Sequence, residues 1–374
     1  MKYQDILELK KRIEFNLTEP QVLVQLINDA RLKGEKLQND MRRFWKIAEK
    51  IASILEERGL ILVGNNLDQI KLHNDYIVGI DGSYQLEGGF GGKWYAPISI
   101  ARVLFENGMN DQLKVQVDFW AGIQEIDETD HSNPENVARL EMLYGESKAI
   151  LEWGNLKQPS FIFIDGPIVD PPVLNIGGTD YINYRCEGLK RCLEKSIIVG
   201  CVKRSRDKFY IKYLEEVFSD TSEKDNLSQF LTDQYLILNI FAHIRKTKNI
   251  FGPMFTKWID ISSVNETYDS YKKNGIYVIC LFFQKNIYSP VIRLDIPLLN
   301  SPNSNPEKTN EIVLQVIKAV DNWTYPGQDY PLPIILAHDK CNIRKGCAEI
   351  LYEEIITRSR SADPITQLIL TQLR

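Results

Sequence analysis

The chain has 374 residues, of which 44% are hydrophobic and 25% are charged, and its formal net charge is −5. This composition is typical of a folded protein, and the length allows a sizeable core and about two domains. The negative charge excludes a chain-wide positive field that would attract nucleic acid, so any DNA contact must be local or supplied by a partner. No apolar run approaches the roughly 18 residues of a membrane span, so we expect no membrane segment.

The six cysteines are scattered between Cys186 and Cys347 without a CxxC pair. This spacing excludes a zinc finger, and no secretion signal supports a disulfide framework. We therefore expect reduced thiols in a cytoplasmic protein.

Three helices are predicted near the start, over residues 3–15, 18–33 and 36–58. In the third, apolar residues recur every three or four positions with charges between them. Such a stripe ordinarily covers the protein's own core, and a helical arm that docks on a partner or second subunit is the alternative. We divide the chain into an N-terminal helical region, 1–70, and a domain over 71–374.

A buried strand that ends in a carboxylate is predicted at Tyr76–Tyr84. Its β-branched apolar residues stop at Asp81-Gly82. A glycine-rich turn and two strands over 95–105 and 113–121 follow, which predicts an antiparallel meander. Residues 124–133 are acidic and are predicted to form a loop.

The same pattern returns after a predicted helix over residues 133–153. The apolar strand 161–164 ends at Asp165-Gly166. Two such strands can place Asp81 and Asp165 side by side at one sheet edge, where a divalent cation or a shared proton must neutralise them. Each Asp-Gly pair alone is equally typical of a hairpin turn.

A basic segment follows the next predicted strand. A loop over 166–180 and a helix over 181–195 lead to the strand 196–202, which runs directly into Lys203-Arg204-Ser205-Arg206. Such clusters are usually solvated surface. The position of this one, immediately after a buried strand, favours contact with phosphate.

The last third of the chain is predicted to contain a helix over 226–242, strands over 275–283 and 289–296, and a helix over 307–320. Prolines near residue 331 then predict an extended approach. His338 is predicted to open a helix that continues to about residue 357, and a last helix covers 364–373. Its place after an apolar segment makes His338 a further candidate site residue.

The order of these elements predicts an α/β protein with a ribonuclease H-like mixed sheet flanked by helices, plus additional N- and C-terminal helices. Sheets of this kind bind two divalent metals between carboxylates and cleave phosphodiesters. Asp81 and Asp165 supply two carboxylates, and Lys203 or Arg206 could supply the cation near the phosphate.

Four motifs resemble the NurA nucleases in both sequence and order. They are IDGS at 80–83, FIDGP at 163–167, VGCVKRSR at 199–206 and YPLPIILAHDKCNI at 330–343. Each is short, but together they span roughly residues 76–345. The resemblance implies a metal-dependent DNA exo- or endonuclease.

The resemblance also implies the metal ligands. Asp81, Glu146, Asp165 and His338 would bind Mn²⁺ or Mg²⁺, with two ions in the site. The family has an acidic residue on the helix before its second Asp strand, and Glu146 fits that place better than Glu141, which remains the alternative.

Further roles follow from the same resemblance. Lys203 would stabilise charge on the phosphate, and Arg204 and Arg206 would hold the DNA backbone. NurA proteins form homodimers that act on DNA ends with a HerA-type hexameric ATPase, in double-strand-break repair or phage defence.

The sequence leaves two other functions open. A catalytically silent DNA clamp or adaptor subunit of a translocase would be expected to lack one of the carboxylates. An actin/hexokinase-like phosphotransferase would need a second phosphate loop, and Asp165-Gly166-Pro167 does not supply one.

Overall fold

The computed structural model describes residues 19–359 except 66, 73–75, 91, 107–112, 128–132, 157–160, 171–177, 220–222, 326 and 345. In this part of the chain the α-helices are α1 (Pro20–Glu57), α2 (Pro134–Leu156), α3 (Gly178–Leu193), α4 (Phe209–Val217), α5 (Glu223–Leu227), α6 (Asp233–Lys248), α7 (Glu266–Lys273), α8 (Pro306–Trp323), α9 (Leu332–Cys341) and α10 (Cys347–Ser359). The strands are β1 (Ile61–Val63), β2 (Tyr76–Tyr84), β3 (Glu87–Phe90), β4 (Lys93–Glu106), β5 (Lys114–Asp127), β6 (Phe161–Asp165), β7 (Ile197–Val202), β8 (Met254–Thr256), β9 (Ile259–Asp260), β10 (Tyr277–Gln284) and β11 (Ile292–Leu298).

These strands join one mixed sheet in the order β1-β8-β10-β11-β7-β6-β2-β4-β3, with β5 paired to β4 and β9 to β10. β2, β4 and β5 form the predicted antiparallel meander, while β6 runs parallel to β2 and β7 parallel to β6. Helix α2 connects β5 to β6, and α3 connects β6 to β7. This arrangement confirms the predicted mixed sheet flanked by helices.

The sheet carries a hydrophobic core on each face, because successive strand residues point to opposite sides. Val78 and Ile80 join the core formed with α1, α2, α3, α4 and α6. Ile77 joins the second core, which α8 and α9 cover. Strand β2 is therefore buried from both sides, as its near-continuous apolar run predicts.

The predicted helices 18–33 and 36–58 are one helix, α1, of 38 residues. Gly34 lies inside it and is exposed. One exposed glycine costs about 1 kcal/mol of helix stability relative to alanine, and the stability of the helical turns on either side exceeds this cost. The predicted helix 3–15 lies outside the described residues, as does the helix 364–373.

Two further boundaries differ from the predictions. The acidic stretch that begins at residue 124 is not a loop as far as Asp127, because β5 pairs with β4 along its whole length and Ile126 is buried. The helix predicted over 226–242 begins at Asp233 instead. The Thr232 side chain accepts the N–H of Tyr235 there and caps the helix.

The division at residue 70 stays a prediction. Strand β1 pairs with β8 in the common sheet, and the C-terminal half of α1 contributes Ile51 and Leu55 to the first core. None of the described helices is long and apolar enough to span a bilayer.

Candidate metal centre

Two parallel strands bring the predicted carboxylates together. In the register of β2 and β6, Ile80 lies opposite Ile164. Asp81 and Asp165 are the next residues of the two strands, so their side chains lie beside each other. The two strand–Asp motifs thus meet, and neither is a hairpin turn. Only β6 ends at its aspartate as predicted, because β2 continues past Asp81 to Tyr84 and stays paired with β4 there.

Helix α9 places His338 beside these two carboxylates. His338 Nδ1 lies 2.8 Å from Asp81 Oδ2 and 4.0 Å from Asp165 Oδ2. The predicted position of His338 at the start of a helix is wrong, because α9 runs from Leu332 to Cys341 and His338 lies near its end. Pro333 lies in the first turn of α9, where proline is well tolerated.

Strand β2 fixes α9 at both ends. At the first end the backbones touch, since a Cβ on Gly79 would lie 2.1 Å from the carbonyl oxygen of Pro333. Beyond the second end, Ser83 Oγ accepts the N–H of Ile343, and Gln85 Nε2 donates to the carbonyl of Ile343. Gln85 Oε1 also accepts the N–H of Ala348. The strand that carries Asp81 therefore also positions the helix that carries His338.

The three side chains fit a divalent ion. One ligand atom each of Asp81, Asp165 and His338 lies within 4.8 Å of the others. His338 is 51% exposed, so an ion can reach the group from solvent. Carboxylate oxygens suit Mg²⁺ and Mn²⁺, and imidazole nitrogen is a ligand for several transition metals.

The electrostatics of Asp81 agree with this fit. Burial and the neighbouring Asp165 raise the pKa of Asp81 to about 6, against the opposing effects of His338 and Lys203. A bound cation would remove the repulsion between the two carboxylates.

Glu146 lies beside this group on α2. A Cβ on Gly82 would lie 2.9 Å from Glu146 Oε1, so the Glu146 carboxyl contacts the residue that follows Asp81. Burial raises the pKa of Glu146 well above its ordinary value; Asp81, Asp170 and Asp165 add to the rise, and Arg185 opposes it. Glu141 is half-buried on the same helix.

Buried polar side chains form a network near Glu146. The Tyr181 hydroxyl donates to Asp170, and Arg185 Nη1 lies 3.4 Å from Ser147 Oγ. The Nε and Nη2 atoms of the buried Arg185 have no hydrogen-bond partner. No motif in the sequence pointed to Arg185, because its role depends on residues distant along the chain.

Lys203 forms an ion pair with Asp165. Its Nζ also lies 5.0 Å from the ring centroid of Tyr330, within cation–π range. Tyr330 was not predicted as a site residue, although it opens the proline-containing motif that leads to His338. Burial raises the pKa of Tyr330, so it is a neutral hydrogen-bonding group at the rim of the site.

Hydrogen bonds to its backbone hold the basic segment, Lys203–Arg206, in position. Gln234 Oε1 accepts the N–H of Ser205, and Gln234 Nε2 donates to the carbonyl of Lys203. Buried Arg293 donates to Ser205 Oγ and pairs with Asp207. Arg204 and Arg206 are exposed and make no hydrogen bond or ion pair to another described residue. Two cations are therefore presented to solvent in the segment that begins at Lys203, the partner of Asp165.

Comparisons with known proteins give the family. The family model for the NurA domain matches residues 65–343. The NurA nuclease from Sulfolobus solfataricus has 15% sequence identity, with 90% of this chain and 99% of that chain covered and a TM-score of 0.58. Endonuclease V from Bacillus subtilis has 11% identity, 78% and 90% coverage and a TM-score of 0.34. Endonuclease V from Ciona intestinalis has 13% identity, 76% and 93% coverage and a TM-score of 0.34.

A comparison with curated proteins finds no match. The family model covers well over half of the chain, including both strand–Asp motifs, the basic segment and His338. The chain belongs to the NurA family.

Proposed function

We propose that this chain is a divalent-metal-dependent deoxyribonuclease. The observation that carries the proposal is the Asp81–Asp165–His338 group, formed by β2, β6 and α9, in a chain of the NurA family. An ion-binding group of this composition, next to exposed cations, suits hydrolysis of a phosphodiester.

Asp81, Asp165 and His338 would hold the ion, with Glu146 as the fourth ligand. A bound divalent ion polarises a phosphoryl oxygen and lowers the pKa of a water molecule. We include Mn²⁺ or Mg²⁺, and two ions, in the proposal, because Glu146 adds a further carboxylate beside the three-residue group.

The remaining site residues bind the substrate. Lys203 places a positive charge beside Asp165, where it neutralises charge on the phosphate. Arg204 and Arg206 are exposed and hold the DNA backbone without reading its sequence. Tyr330 supports Lys203 through its ring, which lies within cation–π range of the ammonium group.

The proposal extends to the protein's assembly. We infer a homodimer that processes DNA ends with a HerA-type hexameric ATPase, in double-strand-break repair or phage defence in the cytoplasm. The net charge of −5 supports this arrangement, since the chain lacks the long-range attraction with which a stand-alone nuclease captures DNA. The six free cysteines agree with a reducing compartment.

The test is cleavage of linear duplex and single-stranded DNA with and without Mn²⁺, Mg²⁺ and a chelator. Asp165→Asn should abolish cleavage, because it removes a ligand charge. Asp339→Asn is the matched control, since Asp339 is exposed and lies next to His338 in sequence. Chelator-resistant cleavage, or full activity of Asp165→Asn, would exclude the metal assignment. DNA binding without any cleavage would favour the silent clamp.

Light scattering of the purified protein, alone and with its cognate translocase, tests the assembly. We expect a dimer that binds the hexamer and cleaves faster when ATP is present. A monomer at micromolar concentration that degrades DNA ends at the same rate with or without the partner would contradict this part of the proposal.

A further inference from the structure

A basic cavity lies along the long helix α1. None of the residues that line it belongs to the strands that carry Asp81 and Asp165. It has a volume of about 510 Å³. Its basic wall contains Arg42, Arg43, Lys46 and Lys50 of α1, and Asn226 and Gln229 lie on the opposite wall. We call this the α1 cavity.

The charge of the α1 cavity is unbalanced. Four of its side chains are basic, and no carboxylate of a described residue lines it. Arg42, Lys46 and Lys50 follow one another at four-residue spacing, which places like charges next to each other on one helix face. Each such pair destabilises a helix by roughly 0.2–0.5 kcal/mol. The chain is net acidic, so a concentration of positive charge here is not explained by overall composition.

Two other basic residues at α1 are neutralised by carboxylates. Lys33 pairs with Asp29 at 3.4 Å, and Lys248 pairs with Glu56 at 2.7 Å. In the α1 cavity, by contrast, Arg43 donates to the neutral side-chain oxygen of Gln229 and so keeps its full charge. Within the described residues, the other three cations of the cavity make no ion pair. The charge of the cavity is therefore available to an anion.

The opposite wall connects to the basic segment. Gln229 lies four residues before Asp233, which limits their separation to roughly 14 Å of extended chain. The N–H of Asp233 donates to the carbonyl of Asp207 at 2.9 Å. Asp207 directly follows Arg206, the last residue of the basic segment. A nucleic-acid strand held at Arg204 and Arg206 can therefore reach the α1 cavity within a few nucleotides.

We propose that the α1 cavity binds the phosphate backbone of the DNA substrate, as an extension of the track that begins at the basic segment. This inference rests on the proposed function. The three cations without an ion pair contact successive phosphates, and Arg43, held by Gln229, completes the site. Because the contacts are to phosphate, binding here is independent of sequence.

The experiment measures the salt dependence of DNA binding by the full chain in EDTA, which prevents cleavage. The variant is Arg42→Gln/Lys46→Gln/Lys50→Gln, whose exposed positions tolerate glutamine in a helix. We expect weaker binding and a plot of log K against log salt that is shallower by roughly 2 to 3 units, since each duplex phosphate that is no longer neutralised removes about 0.9.

The matched control is Arg31→Gln/Lys33→Gln/Lys36→Gln, which removes the same charge from exposed positions of the same helix outside the cavity. In this control, the slope of log K against log salt should equal that of the unaltered protein. Equal slopes in the cavity variant and the control would overturn the inference while leaving the nuclease proposal intact. An unaltered protein that neither binds nor cleaves DNA would overturn both.

Discussion

Asp81 is subject to opposing electrostatic effects. Burial and Asp165 favour its protonated form, whereas His338 and Lys203 favour the carboxylate. Glu146 adds a second buried carboxyl, and burial raises its pKa although the nearby Arg185 opposes the rise. A site that gathers acidic groups at this cost in desolvation is suited to a ligand of positive charge.

The first prediction separates Glu146 from Glu141. Glu146→Gln should weaken Mn²⁺ binding by roughly ten- to a hundredfold, as loss of a carboxylate at the edge of a metal site does. It should also raise the melting temperature without metal, since burial opposes ionisation of Glu146. Calorimetric titration and thermal melts measure the two effects.

Glu141→Gln is the control, because Glu141 is half-buried on the same helix. It should change neither quantity. The reverse result, with Mn²⁺ binding abolished in Glu141→Gln and kept in Glu146→Gln, would transfer the ligand role to Glu141.

Among the elements, α9 is fixed near both of its ends. Gly79 lets its first turn contact the backbone of β2, and Ser83 and Gln85 hold the chain beyond its last turn. His338 is thus placed by a backbone contact at the start of a ten-residue helix and by side-chain hydrogen bonds to the backbone beyond its end.

The second prediction concerns the approach of α9 to β2. In Gly79→Ala the new methyl group meets the carbonyl oxygen of Pro333, which must move. Overpacking of this kind costs about 1–3 kcal/mol, and the displaced helix should carry His338 away from Asp81. Urea unfolding and a cleavage assay measure the loss of stability and of activity.

Gly122→Ala is the matched control for this prediction. Gly122 lies in β5 of the same sheet, and a Cβ there has no atom within 4 Å. It should unfold at a urea concentration close to that of the unaltered protein. Normal activity and stability in Gly79→Ala would show that α9 is not fixed at this point.

The third prediction concerns the cap of helix α4, which follows the basic segment. Asp233 accepts the N–H groups of Tyr210 and Ile211. Burial nevertheless raises the pKa of Asp233 from 3.8 to about 6. Between about pH 4 and pH 6 the unfolded chain releases this proton while the folded chain keeps it. Stability should therefore fall as the pH rises through this window, by about 3 kcal/mol from this group.

The Asp233→Asn variant tests the effect. Its side chain does not titrate, so the difference in unfolding free energy between pH 4 and pH 7 should be smaller than in the unaltered protein. Asp225→Asn, at an exposed position in the preceding helix, is the control. An unchanged pH dependence in Asp233→Asn would contradict the prediction.

At the scale of the whole molecule, the sheet joins distant parts of the chain. Ile61–Val63 pairs with Met254–Thr256, and the last turns of α1 lie in the same core as α6. The described part of the N-terminal region has no separate core of its own.

The fourth prediction follows from this topology. The N-terminal region and the domain over 71–374 should unfold in one cooperative transition, because removing either exposes the core of the other. Scanning calorimetry should give equal calorimetric and van't Hoff enthalpies. Two resolved transitions would indicate that the N-terminal region folds independently.

The sequence predicted those parts of the site that depend on local pattern. Asp81 and Asp165 each follow an apolar run that contains β-branched residues, so the sequence predicts both the strand and the position of the carboxylate. The position of His338 in its helix was missed because Pro333 indicates either an extended segment or a first helical turn, and only the packing on β2 decides. Gln234 and Arg293 act through contacts across many residues of chain, which no local pattern reveals.

The placement of His338 has a consequence for biosynthesis. Asp81 and Asp165 are made early, and their strands can pair before the last third of the chain leaves the ribosome. The imidazole arrives only with α9, and the Gln85 contacts that hold it require residues as far as Ala348. A nascent or prematurely terminated chain therefore has the acidic half of the centre without its histidine.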